Sequence, residues 1–194
     1  MSVSSAGADV PEARLEDSGS GLAPASDGWF VVNVRDAEWW TSQSTGKQSR
    51  GSRCAFESED EHEFPQLGIC VHVLEPDEPS GLYHAESDQE AFLVLFGECR
   101  LLVEGEERLL RAWDFFHCPP ETEHIFVGAG DGPCAILMAG ARAGDFRVLY
   151  PVSELAARYG ASAQEETSDL THAYAGFEWF ERERPSYWDC LPWA

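Results

Sequence analysis

From Pro76 to Ala141 the chain is cut into short apolar runs by turn-forming residues at nearly even intervals. EAFLVLFG ends on Gly97, and ECRLLVEGEERLLRAWD reads as a hairpin turning at Glu104-Gly105. FFHCPP stops at two prolines, and HIFVGAGDGPCAILMAGA reads as a second hairpin turned by GAGDGP. The runs are too short for packed helices, and Gly at a turn readily takes the positive φ that a tight hairpin needs. Several short strands punctuated this way predict an all-β sandwich or small barrel.

The flanks are less regular. Residues 1–27 are rich in Ser, Gly, Ala and acid, bury too little apolar surface to offset the entropy of ordering, and are expected to form a disordered tail. WFVVNV, from Trp29, reads as a strand, DAEWW as a short helical turn, 41–52 as an exposed loop and CAFES as a short strand. EDEHEF is an acidic loop leading into the strong strand candidate LGICVHVLEP, and the barrel is expected over 28–150. In 151–194 a short helix is capped by Ser153 and stopped by Gly160. The Trp-rich segment after it should pack on the barrel or on a partner subunit.

With 194 residues the chain suits one domain, and its formal charge of −22 argues against nucleic-acid or anionic-membrane partners. It also disfavours large anionic substrates unless a metal or a local Arg overrides the field. No run approaches the ~20 apolar residues of a membrane span, and the first residues do not read as a signal peptide. The six cysteines form no CxxC pair, so free thiols in a reducing cytoplasm are expected.

His84, Glu86 and Glu90 share strand parity with Phe92, Val94 and Phe96, which on continuous β geometry puts them on one face. His124 opens a strand just after Pro119-Pro120, where it can be aimed into a barrel mouth. Two imidazoles and one carboxylate suit divalent Fe, Mn, Ni, Co or Zn and leave coordination positions open for substrate, water or dioxygen. His117 is expected in the core or supporting a ligand, and Cys118 as a small buried apolar residue. His72, on a strand crossing the barrel, is not counted in the site, and His62 and His172 read as surface residues. Tyr83, Phe92, Phe96, Phe116 and Phe126 are expected to fill the core and in part to wall a pocket.

GLYHAESDQEAFLVLFG resembles the first cupin motif, G-x5-H-x-H-x3-4-E-x6-G, through His84, Glu90 and Gly97. PPETEHIFVG resembles the second, G-x5-P-x-G-x2-H-x3-N, through Pro119 and His124. Trp113 stands at the second motif's opening Gly, Glu121 at its inner Gly, Gly128 at its Asn, and Glu86 at the first motif's second His. The resemblance, over 81–97 and 113–128, implies a double-stranded β-helix barrel, usually homodimeric, with a metal held by His84, Glu90 and His124. Glu86 is then a fourth ligand or a nearby catalytic acid or base. The spacing is also similar to that of 3-hydroxyanthranilate 3,4-dioxygenase, although Ser80 and Gly128 stand where that enzyme carries substrate-binding arginines. The expected function is a metal-dependent small-molecule enzyme of dioxygenase type, with Fe or Mn favoured and Zn or Ni as further choices. A sugar-type isomerase or epimerase and a non-enzymatic binding or sensor module are the alternatives.

Overall fold

A computed structural model describes residues 10–58 and 62–194. In chain order its elements are β1 (Leu15–Asp17), β2 (Leu22–Pro24), β3 (Trp39–Ser42), β4 (Ser52–Ala55) and β5 (Leu67–Leu74). The middle of the chain holds β6 (Ala85–Glu86), β7 (Glu90–Phe96), β8 (Glu98–Val103), β9 (Glu106–Arg111), β10 (Phe115–Cys118), β11 (His124–Ala129) and β12 (Cys134–Ala141). Then come β13 (Val148–Leu149), α1 (Glu154–Ala157), α2 (Leu170–Ala173) and β14 (Phe180–Arg182). The fold is an all-β jelly-roll barrel. A large sheet runs β10-β7-β12-β5-β4-β3-β14 and faces a small sheet β11-β8-β9, beside which β13 and β6 pair. No helix among the described residues is long and apolar enough to cross a membrane.

Alternation decides which residues meet between the sheets. Phe92 and Val94 of β7, Cys99 and Leu101 of β8, Phe126 of β11 and Ile136 of β12 form the barrel core with Leu74, Cys118 and Cys134. The outer face of the large sheet is also covered, by Trp39, Val71, Val73, Ala135 and Leu191 with Trp188 and Trp193. α1 and Ala161 close over Leu102, Ile125 and Val127 of the small sheet. With both faces covered, β11 is buried along its whole length. The C-terminal segment packs on this barrel: β14 pairs with β3, Trp39 meets Trp188 edge-on at 5.5 Å, and Trp193 stacks on Trp39 at 5.8 Å.

Several expectations change. The anticipated disordered tail holds β1 and β2, held by backbone bonds such as Leu22 N–H to the Asp36 carbonyl and Ala13 N–H to the Trp29 carbonyl rather than by large apolar groups. Residues 1–9 of that tail, and part of the EDEHEF loop, lie outside the described residues. WFVVNV is not a strand; Val32 and Val34 pack on the outer cluster while Val31 is exposed. DAEWW turns only at its start and then enters β3, and 41–52 is no exposed loop, since Ser42, Ser44, Arg50 and Ser52 are buried. The supposed hairpin of β11 and β12 is no hairpin: β11 pairs with β8 and β12 with β5 and β7, so the chain crosses between sheets at Gly130–Pro133. The hairpin of β8 and β9 does form, with φ of 48° at Glu104 and 75° at Gly105.

Two motif positions keep a glycine's backbone without the glycine. Trp113 has φ 76° and Glu121 φ 63°, in the left-handed region that costs an L-residue roughly 1–2 kcal/mol. Trp113 is held there by its N–H to the Val94 carbonyl at 2.7 Å, while its ring is 74% exposed. Trp113→Gly should therefore raise stability by about 0.5–1 kcal/mol in urea unfolding, since little packing is lost and the strain goes. A fall in the unfolding midpoint would show that the exposed ring is worth more than the strain. Gly128 is glycine for a different reason: a Cβ there would meet the Glu75 carbonyl oxygen at 1.9 Å.

Candidate metal centre

His84 and His124 are brought together by backbone pairing. Each donates its N–H to the other's carbonyl, at 3.1 and 2.8 Å, so the two side chains leave the same face of an antiparallel bridge. Their rings lie 4.9 Å apart. Glu90 enters from the opposite sheet, at the start of β7, where its cross-strand neighbour is Gly140. Glu90 Oε2 lies 3.4 Å from His124 Nε2. One donor atom from each of His84, Glu90 and His124 falls within 4.8 Å of the other two.

The imidazoles are fixed for ligation. His84 Nδ1–H donates to the Leu82 carbonyl at 2.7 Å, and His124 Nδ1–H donates to the Thr122 carbonyl at 3.1 Å. Each ring is anchored two residues upstream, which in the neutral imidazole sets the tautomer and turns the Nε2 lone pair into the site. The donor set and its orientation thus fit a divalent ion.

Burial and charge set the protons. Burial, with the nearby His84, lowers the His124 pKa to about 4, so this ring is neutral and ready to ligate. Burial pulls His84 down as well, but the Glu86 hydrogen bond and charge, the Leu82 carbonyl and Glu90 together leave it raised. Burial and the charges of Glu86 and Asp88, against the opposing pull of His84, lift Glu90 to about 7. Glu86 faces the same site, its Oε1 3.5 Å from His84 Nε2, with 24% of its side chain exposed.

The three residues line an inner cavity of about 220 Å³, walled also by Glu86, Phe92, Phe126, Met138, Tyr150 and Tyr174. His72 lines it too, contrary to expectation: it shares the inward face of β5 and is held by its Nε2–H to the Arg50 carbonyl at 2.7 Å. Tyr174, which sequence reading missed, accepts the Leu82 N–H at 2.9 Å from just beyond α2. His117 is not in the core but exposed on the outer side of β10. Cys118 is buried as expected, 3.5 Å from His124 Nδ1. Phe96 leaves the site face, because a bulge at Ala135/Ile136 shifts the register and turns it onto the outer cluster.

Two His and a Glu thus converge inside a two-sheet jelly roll, as a candidate metal centre. Residues 70–140 match the family of the cupin domain, and the barrel is a cupin domain. Among solved structures, a sugar phosphate isomerase of the cupin superfamily from Silicibacter pomeroyi is 23% identical, with TM-score 0.50 over 61% of this chain and 79% of that one. A candidate sugar phosphate isomerase from Acidithiobacillus ferrooxidans is 25% identical, with TM-score 0.45, and the match takes in 50% of this chain and 64% of that one, just under two thirds of its length. An RmlC-like cupin from Shewanella frigidimarina is 17% identical with TM-score 0.41, over 69% and 86%. No curated protein matches the sequence.

Proposed function

We propose that this cupin domain binds one divalent metal ion through His84, Glu90 and His124 and acts with it on a small molecule in the inner cavity. The carrying observation is the convergence of three donors within 4.8 Å, with both imidazoles already anchored through Nδ1. Two imidazoles and one carboxylate favour Fe or Mn, with Zn and Ni as weaker choices, and the leading reaction is of dioxygenase type. A bound ion supplies Lewis acidity and, as ferrous iron, a binding position for dioxygen. The chain's own residues do the rest: Phe92, Phe126 and Met138 exclude water, and Glu86 holds or accepts a substrate proton beside the ligands. That same carboxylate favours a second reading, metal-assisted proton transfer as in an isomerase.

Metal titration by calorimetry tests the proposal, with an expected stoichiometry of one ion per chain. The ion must displace protons from Glu90, whose carboxyl sits near pH 7, and from His84, whose pKa is raised, so affinity should fall by at least about tenfold per unit as pH drops below 7. The sign follows from the raised pKa. The apo protein gains from a protonated Glu90 at low pH and loses that gain as pH rises through 7, where the ion replaces the proton. The metal-induced rise in melting temperature should accordingly be larger at pH 8 than at pH 6. No binding at either pH sinks the metal reading. Oxygen uptake by the iron-loaded protein with a small-molecule panel supports the dioxygenase reading, and turnover without oxygen uptake favours the isomerase one.

A further inference from the structure

One face of the large sheet runs from the metal-site carboxylate to a group of aromatic rings. Glu90 and Phe92 of β7 lie opposite Gly140 and Met138 of β12. Met138 lies opposite Cys70 of β5, and His72, two residues along the same strand, lies opposite Arg53 of β4. Arg53 in turn lies opposite Trp40 of β3. Cross-strand partners project to the same side, so these residues share the barrel's inward face. An outer cavity of about 520 Å³ lies along the far end of this face. Trp40 lines it from the sheet, and Tyr174, Phe177, Trp179 and Phe180 line it from the C-terminal segment. It shares His72, Ser80, Met138 and Tyr174 with the inner cavity, so the two cavities meet at those side chains.

Two observations point to the chemistry of an occupant. The first is the state of the apolar groups. Trp179 is 74% exposed and Leu170, which also lines the cavity, is 52% exposed. Large apolar side chains gathered at a concave site and left in water mark a place for an apolar ligand. Rings brought in by two separate parts of the chain favour a flat ligand that they can stack on or meet edge-on. The second observation is that the charged groups are already engaged within the protein. Arg50 donates to the carbonyls of Lys47, Ser49 and Gly160, feels the opposing charge of Glu78, and lies 4.2 Å over the Phe177 ring. Arg53 stands over the Phe180 ring, 5.0 Å from its centroid. Both guanidiniums thus back the rings that wall the cavity. Burial lowers the His72 pKa to about 4 and lifts the Cys70 thiol to about 11, so the sheet side of the wall gains no charge from either at neutral pH. Glu178, an exposed acid, also lines the space, and the chain's formal charge of −22 repels an anion.

We propose that the outer cavity binds the aromatic part of a neutral, elongated small molecule, whose polar end passes Met138 and Tyr174 into the inner cavity. Met138 stands on the strand next to that of Glu90, about 5 Å away across the sheet, so a molecule of two linked rings reaches both spaces. That the polar end meets a metal ion rests on the reading above; the aromatic site does not.

The probe is para-phenylphenol, titrated calorimetrically into the full chain without added metal. The controls are para-phenylbenzoate, which has the same rings and a negative charge, and the fully hydrogenated analogue of the probe, which has the same length and no aromatic ring. The probe should bind, and each control should bind at least about tenfold more weakly. Trp179→Ala should weaken binding of the probe about tenfold. Its melting temperature should stay near wild type, because the side chain is exposed and the backbone bond from Gln43 N–H to the Trp179 carbonyl remains. Trp179→Phe should recover part of the loss. Binding should persist in Glu90→Ala, so a failed metal centre and a failed aromatic site give different results. In protein loaded with divalent cobalt, saturating probe should shift the visible absorption of the ion. An unchanged spectrum in protein that holds cobalt and probe together overturns the reach to the metal centre. No binding of the probe, equal binding of either control, or an unchanged affinity in Trp179→Ala overturns the aromatic site.

Discussion

Glu90→Ala is expected to lose measurable binding of divalent metal, while Glu86→Ala keeps one ion per chain with affinity weakened by about 10–100-fold, the range for residues that support a ligand without being one. The difference rests on where the two carboxylates stand. Glu90 Oε2 lies 3.4 Å from His124 Nε2 and completes the group with His84, whereas Glu86 stands beside His84, at 3.5 Å, outside that group. Removing Glu90 takes away the one carboxylate that converges with both imidazoles and leaves Glu86 standing beside His84 only as a flanking acid. Without metal the same substitution should not destabilise the protein at pH 8, because burial already disfavours that carboxylate's charge. Calorimetric titration together with apo melting curves checks both halves. If Glu86→Ala abolished binding and Glu90→Ala only weakened it, the ligand roles of the two acids would be reversed.

Trp39→Ala is expected to cost about 3–5 kcal/mol and to release the C-terminal segment from the barrel. Trp39 has no exposed surface, meets Trp188 and Trp193 at 5.5 and 5.8 Å, and donates its Nε1–H to the Val34 carbonyl at 3.1 Å. Truncation leaves a cavity and removes a buried hydrogen bond at once. A domain whose total stability lies within about 5–15 kcal/mol loses a large share of it. The release should be visible as red-shifted tryptophan emission and faster proteolysis between α2 and the C-terminus. Trp39→Phe, which keeps most of the ring packing, should cost only about 1–2 kcal/mol. Equal stability of Trp39→Ala and wild type in urea would show that this cluster does not anchor the segment.

The three ligand candidates could be read from sequence because the spacing of motif residues on paired strands is itself the geometry. His84 and Glu90 flank a turn into β7, and His124 follows a proline turn into β11. The short strands were also legible, because their turn residues mark where each ends. Chain-local signals could not say which strands pair. GAGDGP reads the same whether its flanks form a hairpin or part to two sheets, and here they part. Nor could parity foresee the bulge at Ala135/Ile136 that turns Phe96 away from the site. His72, Tyr150 and Tyr174 were missed as cavity walls because long-range packing, not local pattern, brings them there. The left-handed backbone at Trp113 and Glu121 carries the same lesson in reverse. The motif's conformation survives the loss of its glycines, so a pattern search by residue type alone undervalues the match.

The crossing at Gly130–Pro133 also governs how the chain can reach this structure. β12 sits in the middle of the large sheet, between β5 and β7, while β11, just before it, belongs to the small one. At the far edge, Phe180 pairs with Ser42. The small sheet draws its strands from residues 98–129, but the large sheet gathers strands from Trp39 to Arg182 and cannot be completed from one contiguous stretch of chain. Loop-closure entropy must be met before most strand pairs form, which places this fold among slow folders, in milliseconds to seconds rather than microseconds. The edges of β5 and β7 stay open until β12 arrives between them, and in that interval the nascent barrel is most exposed to mispairing with another copy of itself.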